Sequence, residues 1–207
     1  MLRGQVRPAI LMTLLLCLIT GFLYPGVVTG LAQLLFPWQA NGSQLEAADG
    51  HLIGSALIGQ TFSRPEYFHS RPSAAGSGYD ASASSGTNKG PTDLKLADTL
   101  VAGAVDDVVK NDGAVKGHIP SDMATASGSG LDPHISPANA QLQVARVARA
   151  RNADPTAIRA LVDAHTEGRQ LLVLGDPRVN VLLLNLALDR QFPMKGAIAP
   201  AGATASR

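Results

Sequence analysis

The chain has 207 residues and a mass of 21.4 kDa, enough for one ordinary domain and one additional element and too little for several domains. Its 17 Lys and Arg balance 16 Asp and Glu at a net charge of +1, and no stretch concentrates cations, so nucleic acid is excluded as a partner: counterion release needs a cationic face. The single cysteine, Cys17, rules out a disulfide framework and a cysteine-rich zinc centre, and the five histidines never fall four apart on a helix, so no metal is expected.

The amino-terminal segment reads as a membrane span. Arg3 and Arg7 are the only charges before Glu46, and the uncharged run from Pro8 to Val28 supplies the ~20 apolar residues that a helix needs to cross a bilayer core of ~30 Å. We place a short cytoplasmic terminus at 1–7, the transmembrane helix at 8–30 and a neck at 31–50, with Pro25-Gly26 expected to bend or end the helix. A cleaved secretory signal is the competing reading. Against it, no A-x-A-like site follows, and apolar character continues through Leu31, Leu34, Leu35 and Phe36. Positive charges flank only the amino end, and residues 26–45 carry none, so the positive-inside rule puts the rest of the chain outside the cytoplasm.

Beyond the neck we expect an extracytoplasmic domain over 51–192, of α+β (mixed α/β) class, followed by a disordered tail over 193–207. Residues 51–62 mix β-branched residues with glycine and read as one or two strands. Residues 71–91 hold five serines and four glycines, a composition that buries too little apolar area to order itself, and read as a long loop. Thr92 caps a helix to about Lys110 whose stripe of Leu96, Leu100, Ala104 and Val108 should face the core. Ser136-Pro137 opens a second helix through Arg151, and Asp154-Pro155 a third that ends near Gly168. Gln170-Leu-Leu-Val-Leu174 reads as a short buried strand, and Val179–Leu188 as a last helix.

One loop and one helix face could carry chemistry. Thr125-Ala-Ser-Gly-Ser-Gly-Leu-Asp-Pro-His134 precedes a helix as phosphate loops do, but lacks the Gly-Lys-Ser/Thr ending and reads as a structural turn. A hydrolase using His134 with Ser127 or Ser129 is an alternative function, as is an anchored ligand-binding domain; no G-x-S-x-G elbow supports the former. Arg146, Arg149 and Arg151 read as a solvated helix face, or as a surface that pairs with acidic groups of a partner.

Six ordered blocks carry a resemblance: Tyr24-Pro25, Phe36-Pro-Trp-Gln-Ala-Asn-Gly-Ser43, Gly54-Ser-Ala-Leu-Ile-Gly-Gln60, Tyr67-Phe-His-x-Arg-Pro-Ser73, Thr125-Ala-Ser-x-Ser-Gly-Leu-Asp132 and Val179-Asn-Val-x-x-Leu-Asn-Leu-Ala-Leu-Asp189. Together they resemble the C subunit of the bacterial Kdp potassium-transporting ATPase. The resemblance implies a non-catalytic, single-span accessory subunit of an ATP-driven potassium uptake complex in the bacterial inner membrane. Its partners would be a channel-like potassium-binding subunit, a P-type ATPase subunit, a small single-span subunit and membrane lipid. It further implies a catalytic chaperone that raises the ATPase subunit's affinity for ATP, with Gln143, in the stretch from Gln141 to Arg151, as nucleotide contact. The charge rule places Gln143 across the membrane from cytoplasmic ATP, so ATP would act only through the ATPase subunit. Candidate partner-contact residues are Phe36, Trp38, Gln39 and Asn41 in the neck, and Tyr67, His69 and Arg71 ahead of the Gly/Ser-rich loop; no residue is expected to be catalytic.

Overall fold

A computed structural model describes residues 2–47 and 50–194. The chain divides into two compact units, one up to Gln44 and one from Leu45. The first is almost entirely helical: α1 (Leu2–Leu18) runs through a π-helical turn at Ile19–Leu23 into α2 (Tyr24–Leu35). Pro25 was expected to bend or end the helix near this point, yet the helix continues ten residues past it to Leu35. The wider turn just ahead of Pro25 accommodates a ring that would clash with the carbonyl one turn back and a nitrogen that carries no hydrogen to donate. Residues Gly4–Leu35 form one helix long and apolar enough to cross a membrane, with mean hydropathy 2.1 and no part of its most apolar stretch buried against protein. At 1.5 Å per residue it exceeds the ~30 Å hydrocarbon thickness, and a helix apolar all round needs a nonaqueous neighbour.

Phe36 breaks the helix at φ −139° and ψ 57°, out of the helical region that the following proline disfavours, and α3 (Pro37–Ala40) completes a short turn. The indole N–H of Trp38 donates to the Gln44 carbonyl at 3.1 Å, and the Asn41 amide donates to Pro37 O at 2.7 Å while exchanging bonds with Gln33. Residues 36–44 of the neck thus form an ordered turn.

The second unit mixes helices and short strands. β1 (Gln44–Glu46) pairs with β2 (Leu52–Ser55), the sole strand found in the stretch expected to hold one or two. Residues 56–93 are irregular apart from a 3₁₀ turn at Ala81–Ala83. The next helix opens at Leu94, not Thr92, because the Asp93 carboxylate caps Leu96 N–H at 3.2 Å; its π-helical stretch Leu96–Val101 leads into α4 (Ala102–Asp112). The stripe expected to face the core lies half exposed: of its four residues only Val108 is buried, and Leu100 lines clefts instead. After α5 (Ser121–Ala124), β3 (His134–Ile135) leads into α6 (Pro137–Arg151) and α7 (Pro155–Ala164), where Ser136 and Asp154 cap as their Ser-Pro and Asp-Pro signatures require. The third helix stops at Ala164, short of Gly168, and β4 (Thr166–Glu167) follows. β5 (Arg178–Asn180) lies between β3 and β4, antiparallel to both, with Ile135 opposite Val179 and Thr166 opposite the same Val179. α8 (Val181–Gln191) is capped by Asn180, whose Oδ1 accepts from Leu183 N–H.

α6, α7, α8 and the three-stranded sheet enclose the core: Phe68, Val144, Val147, Ile158, Val162, Val179, Leu184 and Leu188 are sealed from solvent. Gln170–Leu174 is not a buried strand. Its four aliphatic side chains project from a turn, because two leucines in left-handed conformation close the chain back on itself before it can join the sheet. Most of the tail lies outside the described residues.

Candidate functional site

Polar side chains of α6 and α8 converge on one irregular strap, Pro65–His69, which starts in a turn and lacks strand partners. Side chains supply them. On α6, Asn139, Gln143 and Arg146 fall at i, i+4 and i+7 and share one face; on α8, Asn185 and Asp189 fall at i and i+4. Asn185, with no exposed surface, accepts from Phe68 N–H and donates to Phe68 C=O, both at 2.9 Å. Gln143 does the same one residue on, accepting from His69 N–H at 2.7 Å and donating to His69 C=O at 3.1 Å. The two amides act as the missing neighbouring strand, which satisfies buried backbone groups that would otherwise be orphaned.

Two arginines close the clamp. Arg146 donates through Nε to Asp112 at 2.7 Å, to the Pro65 and Tyr67 carbonyls at 2.6 and 2.8 Å, and to Gln143 Oε1 at 2.6 Å. Arg151 bonds the Glu66 carbonyl, the Phe192 carbonyl and Asp189 Oδ1 at 2.7–2.8 Å, while its guanidinium lies 4.8 Å from the centre of the Tyr67 ring. Tyr67 O–H donates to the other oxygen of Asp189 at 3.0 Å. Neither sequence reading of this arginine run survives for Arg146 or Arg151: both are buried and spent on internal partners, and only Arg149 remains exposed. Burying a guanidinium costs heavily unless carboxylate and carbonyl oxygens replace its water, and both sites provide them.

The sequence-derived candidates therefore separate. Phe36, Gln39 and Asn41 are exposed and Trp38 is half-buried in the neck unit. In the second unit Tyr67 is buried within the clamp, and His69 and Arg71 are half-buried. The Gln143 amide is buried with both its N–H groups and its oxygen engaged. A cleft of about 450 Å³ opens beside the strap, bounded by His69, Arg71, Asn111 and Asp112 and reaching Asn139 and Gln143. Burial, and then the charge of Arg146, push the His69 imidazole below its ordinary value, so it stands neutral at this edge.

The two Gly/Ser-rich loops hold each other. Ser73 Oγ donates to Gly130 O at 2.6 Å, Ser85 N–H and Ser84 Oγ donate to Ser129 O at 3.0 and 2.9 Å, and Gly59 N–H donates to Leu131 O at 2.8 Å. Glycine is needed at position 130: φ is +69°, and a Cβ there would lie 2.6 Å from Ser85 O. Arg71 spans the junction to Asp132 and to the Thr125 and Ala126 carbonyls. Burial raises the Asp132 carboxyl, but hydrogen bonding from His134 and the charges of His134 and Arg71 outweigh it and hold the group below the usual carboxylate range. Ser127 is buried with its hydroxyl unpartnered, so it offers no nucleophile to a substrate at the surface, while the exposed Ser129 accepts at Oγ from Leu131 N–H.

Sequence reasoning passed over Asp112, misread Arg151 as a surface cation, and quoted Asn185 and Asp189 only within a resemblance block without giving either a role. The usable signal was present for the α8 pair: two polar residues spaced four apart inside Val-Leu-Leu-Leu-Asn-Leu-Ala-Leu-Asp, an otherwise apolar run, mark buried groups with partners.

Residues 6–190 match the model of a family described as K+-transporting ATPase, c chain. A potassium-transporting ATPase KdpC subunit from Gemmatimonas aurantiaca is 65% identical over 186 residues, covering 89% of this chain and 92% of its own. The corresponding subunits of Koribacter versatilis and Myxococcus xanthus are 56% and 54% identical, over 93% and 91% of this chain and 98% and 89% of theirs. The matched span includes the apolar helix from Val6 onward, both Gly/Ser-rich loops and every polar side chain of the clamp. The chain belongs to the c-chain family of the K+-transporting ATPase, whose members are non-catalytic, accessory subunits of the potassium uptake complex.

Proposed function

We propose that the helix Gly4–Leu35 anchors the chain in the bacterial inner membrane with its amino terminus in the cytoplasm, and that the second unit caps the outer face of a channel-like potassium-binding subunit. The charge asymmetry carries this reading: Arg3 and Arg7 stand at one end of the apolar helix, and no charge of either sign follows between residues 26 and 45. The exposed neck residues Phe36, Gln39 and Asn41, with Trp38, form the contact nearest the membrane. Tyr67, His69 and Arg71 contribute by fixing the strap and the loop junction. The P-type ATPase subunit and the small single-span subunit complete the assembly. On this reading Gln143 touches no nucleotide, and any rise in ATP affinity reaches the ATPase subunit as a shift in the population of the whole complex, the chaperone effect being indirect.

The orientation is tested by placing one cysteine at the exposed Ser84 in a Cys17→Ser background and treating spheroplasts with a maleimide that does not cross the inner membrane. Labelling before lysis is expected. Labelling that requires lysis overturns the outward placement.

A further inference from the structure

Between β4 and β5 the chain makes a closed turn that no internal packing explains. Gln170 N–H donates to Leu174 O and Leu174 N–H to Gln170 O, both at 2.9 Å, so a bridge pinches off Leu171, Leu172 and Val173. Leu171 and Leu172 adopt φ of +50° and +67°, a left-handed backbone that leucine rarely takes. The result is a knob of consecutive aliphatic side chains: Leu171, Leu172, Val173 and Leu174 are 83, 89, 71 and 56% exposed. Single exposed leucines need no explanation, but four in a row on a fixed turn mark a surface made to be covered.

The base of the knob tells what covers it. Arg169 pairs with Asp176 at 3.2 Å and Arg178 with Glu167 at 2.9 Å, so each cation beside the tip is neutralised by its own acid. A tip that inserts into lipid draws on unpaired Lys or Arg for anionic headgroups and on Trp or Tyr at the interface, and this one has neither. A lipid phase also imposes no shape, whereas here the backbone holds a disfavoured conformation that fixes where the leucines stand. We propose that the Leu171–Leu174 knob docks into an uncharged aliphatic pocket on a neighbouring subunit of the potassium transport complex, its paired-charge collar meeting a rim of no net charge. This rests on the assembly reading above and gives it a contact point in the outer domain.

The test uses the full chain co-expressed with the other subunits. p-Benzoylphenylalanine replaces Leu172, and Val115, an isolated residue 67% exposed, serves as the control position. Native membranes are irradiated, the complex is purified in mild detergent, and adducts are identified by mass. A discrete adduct to one pump subunit from position 172 and none from 115 is expected, and Leu171→Ser with Leu172→Ser should speed dissociation of the chain from the purified complex by roughly tenfold or more. Lipid adducts alone, a cross-linked pair of this chain, or no adduct from an intact complex overturns the knob proposal and leaves the assembly reading standing. If the wild-type chain brings no pump subunit with it, the assembly reading falls and the proposal with it.

Discussion

Replacing Gln143 by leucine distinguishes a clamp from a nucleotide contact. Leucine fills much of the same space but cannot bond, so His69 N–H, His69 C=O, Asn139 Oδ1 and one Arg146 N–H each lose a partner. At about 1 kcal/mol for each neutral group and about 2 for the charged donor, less about 1 regained by burying more apolar surface, the loss is about 4 kcal/mol. For a domain of this size each kcal/mol moves Tm by about 3 °C, so the full-length variant in mild detergent should melt about 12 °C below wild type by near-ultraviolet circular dichroism. No nucleotide is needed to see it. Gln141→Leu, which breaks only exposed bonds to Asp163 and Arg159, should shift Tm by no more than about 2 °C. A Gln143→Leu protein that melts within about 2 °C of wild type refutes the clamp and returns Gln143 to the list of ligand contacts.

Gly130→Ala puts a Cβ against Ser85 O and Ala75 in a left-handed backbone, and should destabilise by about 2 kcal/mol while raising the rate of limited proteolysis within 71–91. His69 gives a pH signature. Its folded pKa lies below its unfolded value, so between the two the unfolded chain binds more protons and stability falls as pH drops from about 6.5; urea unfolding at pH 5.5 and 7.5 should show the loss, and His69→Gln should flatten it.

How much of this was legible in the sequence depended on how far apart the interacting groups lie. Ser136-Pro137 and Asp154-Pro155 announced α6 and α7 because a cap and a first-turn proline act within three residues. The apolar helix was equally plain, its lack of charge being a matter of composition. Pro25 misled because a single widened turn, invisible in residue types, lets the helix pass through it. The arginine run misled for a related reason: spacing along α6 says which side chains share a face, not whether Asp112 and Asp189 wait opposite them.

By itself the sequence determined the membrane-length helix, the capped helices, the mixed class and the family, since each is written in local pattern or in ordered blocks of residues. The tertiary structure alone decided that Asn185 serves Phe68 across 117 positions and that Gln143 serves His69 across 74. It also decided that Leu171–Leu174 stands outside the core. Burial is set by what the rest of the chain brings alongside, so an aliphatic quartet looks the same on paper whether a sheet covers it or a left-handed turn thrusts it into solvent.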